Sequence, residues 1–364
     1  MAPRWATLTP LRPMPMSSRP FGSLPSGESV EAYTLTNGSG ASVQVLDYGG
    51  IITSLFMPDR HARLADIVLG FRDLGDYARG HPYFGAILGR IAGRVTGGRL
   101  SVDGATFPLE RNEGRNHIHG GRRGLDKRVW DAEALPRDDG GASLRLSYRS
   151  PDGEEGYPGT VDIAVTYTLT ADNAFVIESE ATSDRVTPLS LGNHSYFNLA
   201  GEGSRDLSGH EVQILADDYV PTDDAMTLSD TRMSVAGLGA DFRSPRRMEE
   251  ALPTLFRAHG DVYLLRKDGE PQPASPRLVA RVVEHGSGRV LEVRTDEACL
   301  QFYTGVGLDG TRVGKSGLPY GPHAGFCLEC HGYPNGSGAA PFGDILVGPG
   351  RPQRHRTIYG FSTS

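Results

Sequence analysis

Two stretches far apart in the chain each set one proton-handling side chain in apolar, strand-like surroundings. His194 lies in Asn193-His-Ser-Tyr-Phe-Asn-Leu-Ala-Gly, and Glu329 lies in Gly325-Phe-Cys-Leu-Glu-Cys-His-Gly-Tyr-Pro. A histidine and a glutamate can supply the acid and the base that proton transfer near neutral pH requires. Core strands rarely carry such groups without a partner or a purpose. In extended chain alternate side chains share a face, which groups His194 with Tyr196, and Cys327 with Glu329, His331 and Tyr333. Asn193, Ser195 and Phe197 point the other way. By the same rule Asn116-His-Ile-His-Gly-Gly puts His117 and His119 on one side, ahead of glycines that permit close approach. Three segments can therefore present ionisable and hydroxyl groups to one concave surface. Sugars suit such a surface, through charge-assisted hydrogen bonds to hydroxyls and aromatic faces against C–H edges.

Blander readings compete. A lone strand histidine more often satisfies a buried carbonyl, and a lone strand glutamate more often faces solvent. His117 and His119 suggest zinc, but no third ligand is in view. Cys327 and Cys330 form C-x-x-C within a strand, where residues three apart face opposite sides. Neither a helix start nor a second ligand pair accompanies them, so buried structural thiols are expected and no metal is assigned. Spacing alone leaves a β-sandwich enzyme or a lectin.

The elements that must position these residues are short strands. Alternating or β-branched runs at Ala41–Tyr48, Ile51–Phe56, Ser143–Arg149, Val161–Leu169, Phe175–Ala181, Glu211–Leu215, Leu278–Glu284, Gly288–Thr295 and Cys299–Thr304 are separated by turn residues. One short helix is expected at Pro245–Leu252, with proline at its first position. The 48 Gly and 25 Pro are spread along the chain, which argues for many turns and against a collagen-like or wholly disordered chain. Lys267–Pro276 reads as a surface loop, and no composition shift marks an internal boundary. The expectation is one all-β domain over 29–364, a large antiparallel β-sandwich with few short helices. Residues 1–28, rich in Pro, Ser and Arg, are expected to be a disordered tail, with Met14 and Met16 as alternative starts.

Composition removes some functions. A net charge of -7 with no basic clusters offers no footprint for nucleic acid. No run approaches the ~20 apolar residues of a membrane-spanning helix. Three cysteines make no disulfide framework, and the cytoplasm is the default.

The ordered segments carry a resemblance. Asp47-Tyr-Gly-Gly-Ile-Ile-Thr-Ser-Leu, Asp66-Ile-Val-Leu-Gly-Phe, Gly89-Arg-Ile-Ala-Gly-Arg-Val, Asn116-His-Ile-His-Gly-Gly, Leu125-Asp-Lys-Arg-Val-Trp, Gly156-Tyr-Pro-Gly, the His194 segment, Gln301-Phe-Tyr-Thr-Gly and the Glu329 segment follow one another at compatible spacing. In this the chain, from about Tyr33 onward, resembles the aldose 1-epimerases of the galactose mutarotase family. The resemblance implies that family's β-sandwich and interconversion of α and β anomers of free aldohexoses such as galactose or glucose. It implies Glu329 as the base on the anomeric hydroxyl and His194 as the acid on the ring oxygen, opposed across the sugar ring. Arg94, His119, Tyr196, Asp261 and Gln301 match substrate contacts. No metal or organic cofactor is implied, the partner is a small sugar, and the assembly is a monomer or homodimer.

Departures from the family pattern bear on sugar preference. Gly93 stands where Asn often precedes the arginine, Val262 where His follows the aspartate, His331 near a usual Gln, and Val306 in place of Asn. Two alternatives stay open. A glycoside hydrolase or lyase would want two carboxylates flanking the bond, for which Glu329 and Asp261 are the available pair. A non-catalytic sugar-binding module could keep a polar pocket without turnover.

Overall fold

The computed structural model describes residues 16–255, 261–265, 272–335 and 344–364. Among these, three antiparallel sheets carry the architecture. The largest has nine strands, in the order Asp131–Leu135, Ala142–Ser150, Val161–Leu169, Ala174–Ser183, Gln353–Thr363, Arg289–Thr295, Arg277–Glu284, His210–Ile214 and Arg246–Arg247. Val161–Leu169 shows why such segments become strands. Its β-branched and aromatic residues suit a pleated surface, and Val161, Ile163, Val165, Tyr167 and Leu169 are all buried while Asp162 is exposed. Gln353–Thr363 sits in mid-sheet, pairing with both Ala174–Ser183 and Arg289–Thr295.

A second sheet is a meander of Met16–Ser23, Ser29–Thr36, Ser42–Leu46, Ile52–Pro58 and Leu64–Asp66. Val43, Val45, Leu55 and Met57 from this sheet join Leu144, Leu146 and Val165 of the nine-stranded sheet in one apolar core. The all-β, sheet-rich expectation is met.

The third sheet builds the floor of the site. Its order is Met233–Ser234, Asp218–Val220, Asp261–Leu264, Cys299–Tyr303 and Cys327–His331. Leu300 pairs with Cys330 and Phe302 with Leu328, and these four enter the core. Gln301 pairs with Glu329 and Tyr303 with Cys327, so period-2 alternation turns those four to the opposite face. Cys327 and Cys330 thus face opposite sides, and both are buried free thiols.

Several expectations change. Residues 16–23, assigned to a disordered tail, form an edge strand with Met16 opposite Leu35 and Ser23 opposite Ser29. Its side chains are mostly exposed, so backbone pairing forms it and no hydrophobic pattern announces it. Residues 1–15, with Met14, lie outside the described residues, as do residues 267–271 of the expected surface loop. The helix expected from Pro245 is shorter. Arg246–Arg247 pair with Glu211 and Val212 at the edge of the large sheet, leaving a helix over Met248–Ala251. The His194 segment is strand only at Gly192–Asn193. There the Asn193 Oδ1 accepts hydrogen bonds from the Ser195 N–H and hydroxyl, a local turn that competes with the ladder.

Close backbone approach holds His119 in place. His119, Gly120 and Gly121 have φ of 51°, 84° and 104°, and a Cβ on Gly120 would lie 1.7 Å from the Gly89 carbonyl oxygen. Gly120→Ala is expected to cost at least ~3 kcal/mol, because overpacking adds to left-handed strain. The urea midpoint measures it, and a loss below ~1 kcal/mol would contradict this reading of the turn.

Candidate active site

A cleft of about 220 Å³ opens over the polar face of the third sheet, lined by Arg94, Glu113, His119, His194, Gln301 and Glu329, with Tyr83, Tyr196 and Tyr303 as aromatic walls. His194 and Glu329, 135 residues apart in sequence, meet at its floor. His194 Nε2 lies 3.6 Å from Glu329 Oε1, and the two residues are 5% and 2% exposed.

His194 is held from every side. Its backbone N–H donates to the Ala86 carbonyl and its carbonyl accepts from Gly85 N–H. Its Nδ1 is 3.4 Å from the Cys327 thiol. The imidazole is sandwiched between Tyr196, at 4.9 Å and 15° between planes, and Tyr83, at 5.8 Å and 16°. Two π faces over one imidazole favour its cationic form. Tyr196 is only 2% exposed and also packs edge-on against Phe84 and Tyr303.

His119 turns into the same space. Its ring lies edge-on to His194 at 5.3 Å, and its Nδ1 accepts a hydrogen bond from Gly93 N–H at 3.1 Å. That bond leaves the ring proton on Nε2, so His119 presents a donor to the cleft. His117, expected on the same side, is elsewhere. It is fully buried, with Nδ1 2.7 Å from the Glu110 carbonyl and Nε2 2.6 Å from the Tyr157 hydroxyl. The positive φ at His119 breaks the alternation that would have aligned the two.

Arg94 comes from a two-residue strand paired with His117–Ile118. Its Nε and one Nη lie 2.5 and 2.6 Å from the two carboxylate oxygens of Glu113, a bidentate fork. Gln301 reaches the cleft from the strand beside Glu329. Asp261 does not line it. Asp261 pairs with Phe302, and Val262 with Gln301, so the register turns Asp261 to the face opposite Glu329. Burial alone raises its carboxyl to about 6.

Burial dominates the electrostatics. It raises the Glu329 carboxyl to about 8, with Arg94 pulling the other way. Burial lowers His194 to about 3, partly offset by a backbone hydrogen bond. His119 is held neutral by burial first, with the Arg94 charge acting the same way. Burial thus favours the uncharged form of each group, a protonated Glu329 beside an unprotonated His194.

His119, His194 and Glu329 bring three potential metal-ligand atoms within 4.8 Å of one another. The trio does not fit a metal well. The lone pair on His119 Nδ1 is taken by Gly93, and a metal at Nε2 would have to displace that proton. What the arrangement can do is move protons beside a polar, aromatic-walled ligand.

Tyr83, Glu113 and Tyr303 were not singled out from sequence. Alternation from Gln301 could have found Tyr303. Tyr83 has φ of 60°, and neither it nor Glu113 sits in a periodic segment that would mark it.

Comparison with known proteins agrees with this geometry. Residues 31–360 match the family model described as aldose 1-epimerase. The chain is 41% identical over 347 residues to a galactose mutarotase of Sus scrofa, covering 94% of this chain and 98% of the relative. It is 33% identical over 344 residues to an aldose 1-epimerase of Escherichia coli, covering 93% and 96%. Among solved structures, galactose 1-epimerase from Lactobacillus acidophilus superposes with a TM-score of 0.81 at 26% identity, covering 96% of this chain and 99% of that one. An aldose epimerase homologue from C. elegans gives 0.80 at 28% identity, covering 91% and 98%. With the sheets, the cleft and the family model in agreement along nearly the whole described chain, the protein belongs to the aldose 1-epimerase family, isomerases that interconvert the α and β anomers of aldoses.

Proposed function

We propose that this chain anomerises free aldohexoses such as galactose or glucose, with Glu329 as the base and His194 as the acid. One observation carries the reading: the 3.6 Å approach of His194 Nε2 to Glu329 Oε1 on a buried cleft floor. The two groups are neighbours, not opposed across a ring as the sequence suggested. Neighbours suit this reaction, since the anomeric hydroxyl and the ring oxygen share one carbon.

The reactive form of the pair is carboxylate and imidazolium, and the Tyr83 and Tyr196 faces stabilise the cation. Glu329 takes the proton from the anomeric hydroxyl, the C1–O1 double bond forms, and the C1–ring-oxygen bond breaks. The ring oxygen takes the proton from His194. The open aldehyde then faces a protonated Glu329 and a neutral His194, the state that burial favours. Rotation about C1–C2 and closure on the other carbonyl face return both protons. Arg94, His119 and Gln301 hold the hydroxyls; Tyr196 shapes the wall behind His194. Each proton transfer contributes about 10²–10⁴-fold, and these residues supply both without a cofactor. The hydrolase pair of Glu329 with Asp261 loses its support, because Asp261 faces away.

Among the described residues no helix is long and apolar enough to cross a membrane. We place the enzyme in the cytoplasm, as a monomer or homodimer; three buried free thiols suit a reducing compartment.

Polarimetry of freshly dissolved α-D-galactose or α-D-glucose is expected to show a faster approach to equilibrium rotation. No acceleration with either sugar, nor with xylose or arabinose, would sink the reading. Glu329→Gln and His194→Asn are each expected to lower kcat by about 10²–10⁴-fold with the fold retained, and a near-normal rate in either variant removes that role. The pH profile follows from the pair's single proton. Glu329 is raised to about 8, so deprotonation above that pH leaves no proton for the ring oxygen. kcat/KM is expected to be level from pH 5 to 7, about, and to fall roughly tenfold per unit above pH 8, about. Tyr83→Leu is expected to reduce kcat about 2- to 30-fold by removing one π face, while Tyr83→Phe stays near wild type; equal losses in both variants would contradict the stacking role.

A further inference from the structure

The cleft contains a second carboxylate with no assigned role. Glu113 lies on its wall and is only partly occupied by Arg94. Its backbone is pinned by reciprocal hydrogen bonds with Asn116, N–H to carbonyl at 3.1 and 2.9 Å. The adjoining Asn112 side chain bridges to Ile118, accepting from its N–H and donating to its carbonyl. The carboxylate is thus carried on a fixed turn. An ionised carboxylate offers about four lone-pair sites, of which the Arg94 fork takes two. A guanidinium offers five donors, of which this fork takes two. With 35% of the Glu113 side chain and 16% of Arg94 still exposed, free acceptors stand beside free donors. A pyranose hydroxyl, which both donates and accepts, matches that edge. The register meanwhile turns Asp261 away from the cleft, leaving Glu113 as the carboxylate beside Glu329 among the described lining residues.

We propose that Glu113 accepts a hydrogen bond from one specific ring hydroxyl of the aldose and thereby sets preference among sugars. This rests on the epimerase reading above. The Arg94 fork holds the carboxylate in one orientation, so the contact discriminates the configuration of that hydroxyl and does not merely add polarity to the wall.

The test is a cycle between residue and hydroxyl. Polarimetric kcat and KM are measured for wild type, Glu113→Ala and Glu113→Gln with D-galactose, D-glucose and the 2-, 3-, 4- and 6-deoxy galactoses. Glu113→Ala is expected to raise KM for galactose about tenfold with kcat within about threefold. One deoxy sugar should show a similar loss with wild type but no further loss with Glu113→Ala. Where that deoxy sugar is the 4-deoxy one, the galactose-to-glucose ratio of kcat/KM should change in both variants, since C4 is the one position at which the two sugars differ. An unchanged KM, or a loss that is the same for every deoxy sugar, overturns the proposal and leaves Glu113 as a brace for Arg94. Glu113→Gln keeps the volume and serves if the alanine variant is unstable. A wild-type enzyme inactive on all the aldoses would instead overturn the epimerase reading, which separates the two failures.

Discussion

Withdrawal of His194 and Glu329 from water is the constraint on which the site depends. An isolated buried charge is costly, and removing solvent favours the neutral form of each group. Placed 3.6 Å apart, they can exchange one proton without a net charge entering the protein. A surface His–Glu pair would each sit near its ordinary pKa and lose much of its interaction to screening. Burial makes the carboxyl a strong enough proton acceptor, and the imidazolium a ready enough donor, to act on the weakly acidic and basic oxygens of a sugar.

The sheets exist, from the site's point of view, to hold that pair still. One strand, Cys327–His331, sends Leu328 and Cys330 into the main core, Cys327 into a second buried apolar cluster and Glu329 into the cleft. The same packing that stabilises the sheet therefore fixes Glu329. His194 has no regular strand behind it. Its place comes from the bonds of its backbone to Gly85 and Ala86, the Asn193 turn, and the tyrosines on its two faces. Acid and base are thus anchored on different elements.

Period-2 patterning made the strands legible: Val161–Leu169 is found where its β-branched run places it. His194, Glu329, Arg94, His119, Tyr196 and Gln301 were all nameable from the chain, and the structure gathers them around one cleft. What was lost had physical causes. The edge strand Met16–Ser23 is formed by backbone pairing with exposed side chains, so its pattern resembles a tail. His117 and His119 were expected together because alternation assumes an extended chain, which the positive φ at His119 interrupts. Asp261 was carried over by resemblance, but a residue's face depends on register, and pairing with Phe302 points it the other way. Glu113 and Tyr83 act through tertiary contacts of irregular segments, and no periodic signal carries those.

Burial of Glu329, which favours its protonated form, underlies the whole site. Carbon-13 NMR of the Glu329 side-chain carboxyl, followed across pH and assigned with Glu329→Gln, reads that proton directly. A midpoint near the raised value of about 8 is expected. A midpoint in the ordinary glutamate range, roughly 4.3, would contradict it.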